Sequence, residues 1–120
     1  MATIKPTLEN KNAIVKVTYT LANGDDGSPF PFSEWADRSV QVTGTFGASG
    51  NVLWEGSNDG GTTYAPLTDP QGNALNFTAA KIEAVTEICE YARPRVTAGD
   101  GTTALEVSVI ARNARSARGG

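Results

Sequence analysis

Histidine is absent from this chain of 120 residues, and cysteine and methionine occur once each. Without histidine, Ser-His-Asp and Cys-His catalytic arrangements are excluded, and the commonest transition-metal ligand is missing. One cysteine, Cys89, rules out an intramolecular disulfide. A zinc site would have to rest on one thiolate and carboxylates, which zinc disfavours. Cys89 lies in the run Val85-Thr86-Glu87-Ile88-Cys89 with no basic cluster beside it, and it reads as a buried, inert thiol. No apolar run approaches a membrane span, and the opening MATIKPTLENKN has no hydrophobic signal core. The expectation is a soluble, non-enzymatic protein made in a cytoplasm, with no catalytic residue, metal, cofactor or membrane partner.

Acidic side chains outnumber basic ones by 13 to 10, and the imbalance is uneven. Arg112, Arg115 and Arg118 crowd the last nine residues, where there are no acids. An acidic body argues against wrapping nucleic acid, whose phosphates demand a basic face. The tail 112–120 reads instead as an arm that docks on an acidic protein surface.

What is abundant is Gly, Thr, Val and Ala, a composition that favours β structure with many turns. A chain of this length forms one domain. Residues 1–11 are polar and read as an extended arm. In NAIVKVTYTL, Ala13, Val15, Val17, Tyr19 and Leu21 share one face of a strand, and Ile14, Lys16, Thr18 and Thr20 take the other. Asn23–Ser28 is a loop. Pro29-Phe30-Pro31-Phe32 is barred from a central strand by its prolines, and Ser33 is placed to cap one helical turn over 33–37. Val40 to Leu67 holds three strand-like runs broken by Gly47-Ala48-Ser49-Gly50 and Asn58-Asp59-Gly60-Gly61, the second suited to a tight hairpin. Residues 69–73 form a turn and 74–77 a short strand. Thr78 is placed to cap a turn through Lys81. The run Ile82–Val96 reads as extended as far as Arg93-Pro94, with a helix over 79–87 as the competing reading. Gly99-Asp100-Gly101 is a hairpin turn before a last strand, in which Leu105, Val107, Val109 and Ala111 alternate. The sum is an all-β, antiparallel β-sandwich or jelly roll of about eight strands over residues 12–111, with extended N- and C-terminal arms.

Candidate sites give way to simpler readings. Asp25, Asp26 and Asp59 stand beside glycines as turn formers, since calcium needs six to eight oxygens and the spacing of a calcium loop is missing. Glu34, Asp37, Glu55, Glu83, Glu87 and Glu90 offer carboxylate pairs, yet a sandwich this small has little room for a glycosidase cleft. Trp54 sits at an apolar strand position and belongs to the core. Trp35, Tyr64 and Tyr91 are open to sugar or protein contact, and Trp35 after the Pro-Phe-Pro-Phe loop is the best placed. Arg93 and Arg95 are set to pair with Asp100 or Glu106, or with a neighbouring subunit.

The order of Ser39–Gly47, Glu55–Gly60, Leu67–Gly72, Tyr91–Pro94 and Gly99–Thr103 resembles small virion proteins of tailed bacteriophages, of the capsid cement or decoration type. The resemblance spans about residues 38 to 111. It implies a short sandwich that binds the outer capsid surface of a virion, stabilises contacts between major capsid protein subunits, and carries no catalytic group. A self-associating dimer or trimer suits the symmetric positions of a shell. The contact residues expected, from arms and loops, are Ile4, Lys5, Leu8, Phe30, Phe32, Trp35, Arg112, Arg115 and Arg118. The alternatives are a carbohydrate-binding or host-recognition module of a fibre, using Trp35 or Tyr64, and a tail or neck component.

Overall fold

The computed structural model describes residues 3–11, 14–32, 35 and 37–112. Among them are eleven strands and no helix. Eight strands make the body: β3 (Ile14–Ala22), β4 (Asp26–Gly27), β5 (Asp37–Thr45), β6 (Asn51–Ser57), β8 (Asn76–Phe77), β9 (Lys81–Ala84), β10 (Tyr91–Ala98) and β11 (Ala104–Arg112). They pair from the ends inward, β3 with β11, β4 with β10, β5 with β9 and β6 with β8, all antiparallel. The chain is thus one long hairpin. It is rolled up so that β11 also meets β5 and β10 also meets β6. That is the connectivity of a jelly roll, which splits it into two facing sheets. With β1 (Thr3–Ile4), β2 (Thr7–Lys11) and β7 (Ala65–Pro66) added at the edges, sheet A runs β1-β4-β10-β6-β7 with β8 also on β6, and sheet B runs β2-β3-β11-β5-β9.

The period-two pattern fills the space between the sheets. From sheet B, Val15, Val17, Tyr19, Leu21, Val40, Val42, Leu105, Val107, Val109 and Ala111 point inward; sheet A and its loops add Val52, Trp54, Phe77, Ala92, Val96, Leu67 and Phe32. Burial of each such aliphatic or aromatic side chain contributes roughly 1.5–3 kcal/mol, and together they fix the register of both sheets. Tyr19 is fully buried because its hydroxyl donates to the Ser28 carbonyl at 2.6 Å, which satisfies the one polar atom it brings inside. Cys89 is buried, as its apolar flanks indicate.

Several expectations need correction. Residues 3–11 are not a free arm. β1 (Thr3–Ile4) lies parallel to β4, and β2 (Thr7–Lys11) lies antiparallel to β3, so this stretch crosses from one sheet to the other and lengthens both. Its polar sequence hid it, because a strand at a sheet edge needs main-chain partners more than an apolar face. Residues 78–80 are bends, and the chain from Lys81 is strand β9, not a helical turn. The helix proposed over 33–37 falls mainly on 33, 34 and 36, outside the described residues. Gly47–Gly50 and Gly99–Gly101 are not hairpin turns either. Each carries the chain from one sheet to the other, β5 to β6 and β10 to β11. Of these three glycine-bearing turns, Asn58–Gly61 alone closes a hairpin, between β6 and β7 (Ala65–Pro66).

Pro94 does not end a strand; it sits inside β10, opposite Trp54. The Trp54 N–H donates to Leu75 and its carbonyl accepts from Leu67, so both groups point away from β10. Pro94 therefore occupies a non-hydrogen-bonded pair, where its missing N–H costs the β6 ladder nothing. On its other side the chain comes so close that a Cβ on Gly27 would lie 2.6 Å from the Pro94 ring and 2.6 Å from the Tyr19 ring. Glycine is the residue that lets β4 pass there.

Candidate interaction surface

The outer faces of the two sheets are finished in opposite ways. On sheet A, strand alternation aims Glu55 of β6 and Arg93 and Arg95 of β10 outward. Arg93 Nε donates to Glu55 Oε2 at 2.8 Å; Arg95 adds Nε at 3.1 Å and, to Oε1, Nη2 at 3.3 Å. Arg93 Nη1 reaches Asp26 Oδ2 at 3.4 Å, and Thr3 Oγ1 donates to Asp26 Oδ1 at 2.9 Å. The Arg93 guanidinium carbon stands 3.9 Å over the Tyr64 ring, a cation–π contact. Glu55 is left 2 % exposed although it lies on the outside of a sheet. Burial pushes the Tyr64 hydroxyl pKa up, against the opposing pull of Arg93. The arginines thus pair with Glu55 and Asp26, not with Asp100 or Glu106.

The loop 58–64 completes this cover and is itself tied down. Asp59 Oδ1 accepts from Ser57 Oγ at 2.7 Å, Thr63 N at 2.8 Å and Thr62 N at 3.2 Å. Glu90 accepts from Gly60 N and donates its own N–H to Asn58, each at 2.8 Å. The bond from Ser57, then that from the Thr63 backbone, holds the Asp59 carboxyl down at about 2. Asp59 is the turn former its neighbours suggested, as is Asp25, whose Oδ2 accepts from Ala22 N at 2.9 Å. Beside the loop is an open cleft of about 510 Å³, with Leu67 and Cys89 at its floor and Asn58, Thr63, Tyr64 and Ile88 around it.

Sheet B carries no such cover among the described residues. Its outer face presents Thr18, Ser108 and Gln41 in one cross-strand row, with Ile82 at the end. The next row holds Lys16, Ile110, Ser39 and Ala84, and the one beyond it Ile14, Arg112 and Asp37. Ile14, Ile110 and Ile82 are large apolar side chains exposed by 40 %, 39 % and 59 %. Ile14 and Ile110 are diagonal neighbours on adjacent strands and wall a shallow hollow of about 310 Å³, with Asp37, Ser39 and Arg112. Ile110 and Ile82 were not singled out from the sequence. The signal for Ile110 was present, since it and Ile14 fall on the polar phase of otherwise alternating strands.

The expected contact residues divide. Leu8 is 53 % exposed on β2 and Lys5 is exposed beside it, whereas Ile4 is half-buried against the core. Phe32 is fully buried, edge-on to Trp54 with ring centroids 5.8 Å apart, and offers a partner nothing. Phe30 and Trp35 are half-buried and pack on the same core; the Phe-Pro sequence that suggested an exposed loop serves to bring these rings inward. Phe30 is bridged to Ala92 through both backbone groups. Arg112 belongs to strand β11 and is ion-paired with Asp37, its Nε 3.1 Å from Oδ2. Arg115 and Arg118 lie outside the described residues.

No protein-family profile and no curated protein sequence matches the chain. Solved structures do. The SPBc2 prophage-derived protein YomS superposes with a TM-score of 0.60 at 14 % identity, over 82 % of this chain and 93 % of that one. A cupin domain from Bordetella pertussis Tohama I gives 0.50 at 15 % identity, over 89 % and 90 %. A conserved protein with a double-stranded β-helix domain from Klebsiella pneumoniae gives 0.50 at 14 %, over 91 % and 74 %. The chain is therefore an all-β sandwich of the jelly-roll type, a fold shared by a prophage-derived protein and by cupin domains. At these identities the likeness is one of backbone, and function has to be argued from the surface.

Proposed function

We propose that this chain is a structural component of a phage particle, a cement or decoration protein that docks on the outer surface of the capsid through the outer face of sheet B. The observation that carries this reading is the contrast between the two faces. Sheet A closes over its own charges, while sheet B leaves a broad uncovered face on which three exposed isoleucines stand among Thr, Ser and Gln, with Lys16, Glu106 and the Asp37–Arg112 pair around them. Exposed apolar side chains set among polar ones suit a protein contact, and a rigid sheet presents them with little entropy left to lose. The likeness to a prophage-derived protein across nearly that protein's whole length supports a phage setting, as does the motif order noted in the sequence. The role proposed is non-enzymatic. Glu55, the most buried carboxylate among the described residues, has both oxygens taken up by arginines and is not free to act as an acid or base. Partner and location follow from the same reading: the major capsid protein, on the outside of the virion.

Expanded capsids of the parent phage, prepared without this protein, provide the test. Added protein should co-sediment with them and raise their resistance to heat, and Ile110→Lys should abolish both effects. If wild-type protein does not sediment with the capsids, or Ile110→Lys binds as well as wild type, the docking reading fails.

A second reading rests on the cleft beside Tyr64, whose Asn58, Thr63 and Tyr64 side chains combine hydrogen-bonding groups with an aromatic ring. Such a site fits a sugar ring, as in a host-recognition module. A glycan array would show saturable binding that is lost in Tyr64→Ala.

A further inference from the structure

We propose that two copies of this chain join through the free edge of β9, pairing it antiparallel with itself about a two-fold axis at Ile82. β9 is the last strand of sheet B, and no backbone group among the described residues bonds to its outer edge. An open edge is a template for another strand, which proteins commonly guard with a charge such as Lys81. Here the guard is matched by its own neighbour. Ile82 and Ala84 point to the outer face, while Lys81 and Glu83 point to the other side, where they pair at 3.1 Å within one chain.

A two-fold pairing that keeps both outer faces on one side must set odd positions against odd and even against even. Four registers centre on a residue of the strand, and the one at Ala84 is blocked because it needs the Thr86 N–H, which already donates to the Thr68 carbonyl at 2.9 Å. Centring on Lys81 opposes two lysines, and centring on Glu83 opposes two glutamates; like charges directly opposite are destabilising. Centring on Ile82 sets Lys81 against Glu83 twice and Ala80 against Ala84 twice. It also brings together the two Ile82 side chains, which are 59 % exposed in one chain. Charge, size and apolar contact all favour the one register. Its product is a continuous ten-stranded sheet, since each sheet B has five strands. This doubles the outer face on which the docking reading rests, although the pairing is tested without capsids. A four-residue edge is small beside the roughly 1,200 Å² of stable interfaces, so the dimer is best read by trapping.

Residues opposite each other in an antiparallel pair have Cα atoms about 4.5 or 5.5 Å apart, within reach of a disulfide. In full-length protein carrying Cys89→Ala, Ile82→Cys should form a covalent dimer on mild oxidation. Gln41→Cys, one strand further in on the same face, should not. Lys81→Glu should lower the cross-linking rate of Ile82→Cys by about tenfold or more, and adding Glu83→Lys should restore it. Equal cross-linking of Ile82→Cys and Gln41→Cys, or no recovery in the charge swap, would overturn the pairing. Docking is read separately on the wild-type protein: a dimer trapped at Ile82→Cys while wild-type protein fails to sediment with capsids would support pairing and refute docking, and wild-type binding with no trapped dimer would do the reverse.

Discussion

Glu55 on β6 and Arg93 on β10 stand directly opposite one another in the antiparallel register, joined at 2.8 Å on the outside of sheet A. The carboxylate is nearly inaccessible, and Arg95, two residues on, shares it. Removing one member of a buried charged group is costly because its partner is left behind without compensation. Glu55→Ala should therefore lower unfolding free energy by about 3 kcal/mol in urea denaturation. Arg95→Met should cost under about 1 kcal/mol, because its side chain is 42 % exposed. Arg93→Met should fall between them. Equal losses for the two arginines would show that the ion cluster does not stabilise the face in the way described.

Phe32 tests the boundary between core and surface. It is fully buried against Trp54 and Phe30, so Phe32→Ala should cost about 3–5 kcal/mol, read as a lowered denaturation midpoint. Phe30 is only half-buried and its alanine variant should cost less. A Phe32→Ala protein as stable as wild type, but defective in binding, would return this residue to the surface role its sequence suggested.

Much of the core was legible in the sequence because period-two alternation is a local property. Val15, Val17, Tyr19 and Leu21, and likewise Leu105, Val107, Val109 and Ala111, announce their buried face through spacing alone. Turns were legible as turns but not as connections. Gly47–Gly50 and Asn58–Gly61 share the same local chemistry, yet the first switches sheets and the second closes a hairpin, a difference set by pairing with residues far along the chain. The partners of Arg93 and Arg95 were hidden for the same reason, since Glu55 lies 38 residues from Arg93. The surface reading erred most at Phe32, which is fully buried. Prolines there suggested an exposed loop, but the Phe30 bridge to Ala92 draws the segment against the core.

Asp59 supplies a pH prediction. Its folded carboxyl is held at about 2, below the ordinary 3.8, by hydrogen bonds from Ser57 and the Thr63 and Thr62 backbones. A depressed folded pKa contributes order that is fully present above the unfolded value and is lost as pH falls toward the folded one. The loop 58–63 should hold its form at pH 5 and above and loosen between about pH 4 and 2. Amide shifts of Thr62 and Thr63, followed by NMR, should move together in that window, and Asp59→Asn should remove the transition. Asp69 and Asp100, also held below the usual range, should reinforce the loss in the same direction. A midpoint near pH 4 for Asp59 would contradict the capping geometry.

Gly44 and Gly60 separate steric conflict from backbone strain. Both have positive φ, +113° and +77°, which a residue with a Cβ rarely adopts. At Gly60 nothing lies within 4 Å of an added Cβ, so Gly60→Ala carries only the conformational cost, about 1–2 kcal/mol. At Gly44 the same atom would lie 2.3 Å from the Ala104 carbonyl oxygen and 3.2 Å from the Leu105 Cα. Those are backbone atoms of β11, which is paired on its two sides with β3 and β5, so they have little freedom to retreat. Gly44→Ala should cost at least about 2 kcal/mol more than Gly60→Ala, measured as the difference in urea unfolding free energy. The excess should appear as faster hydrogen exchange at the Gly44 end of the β5–β11 ladder. Equal costs at the two positions would mean that β11 yields there, and that this end of sheet B is softer than its pairing indicates.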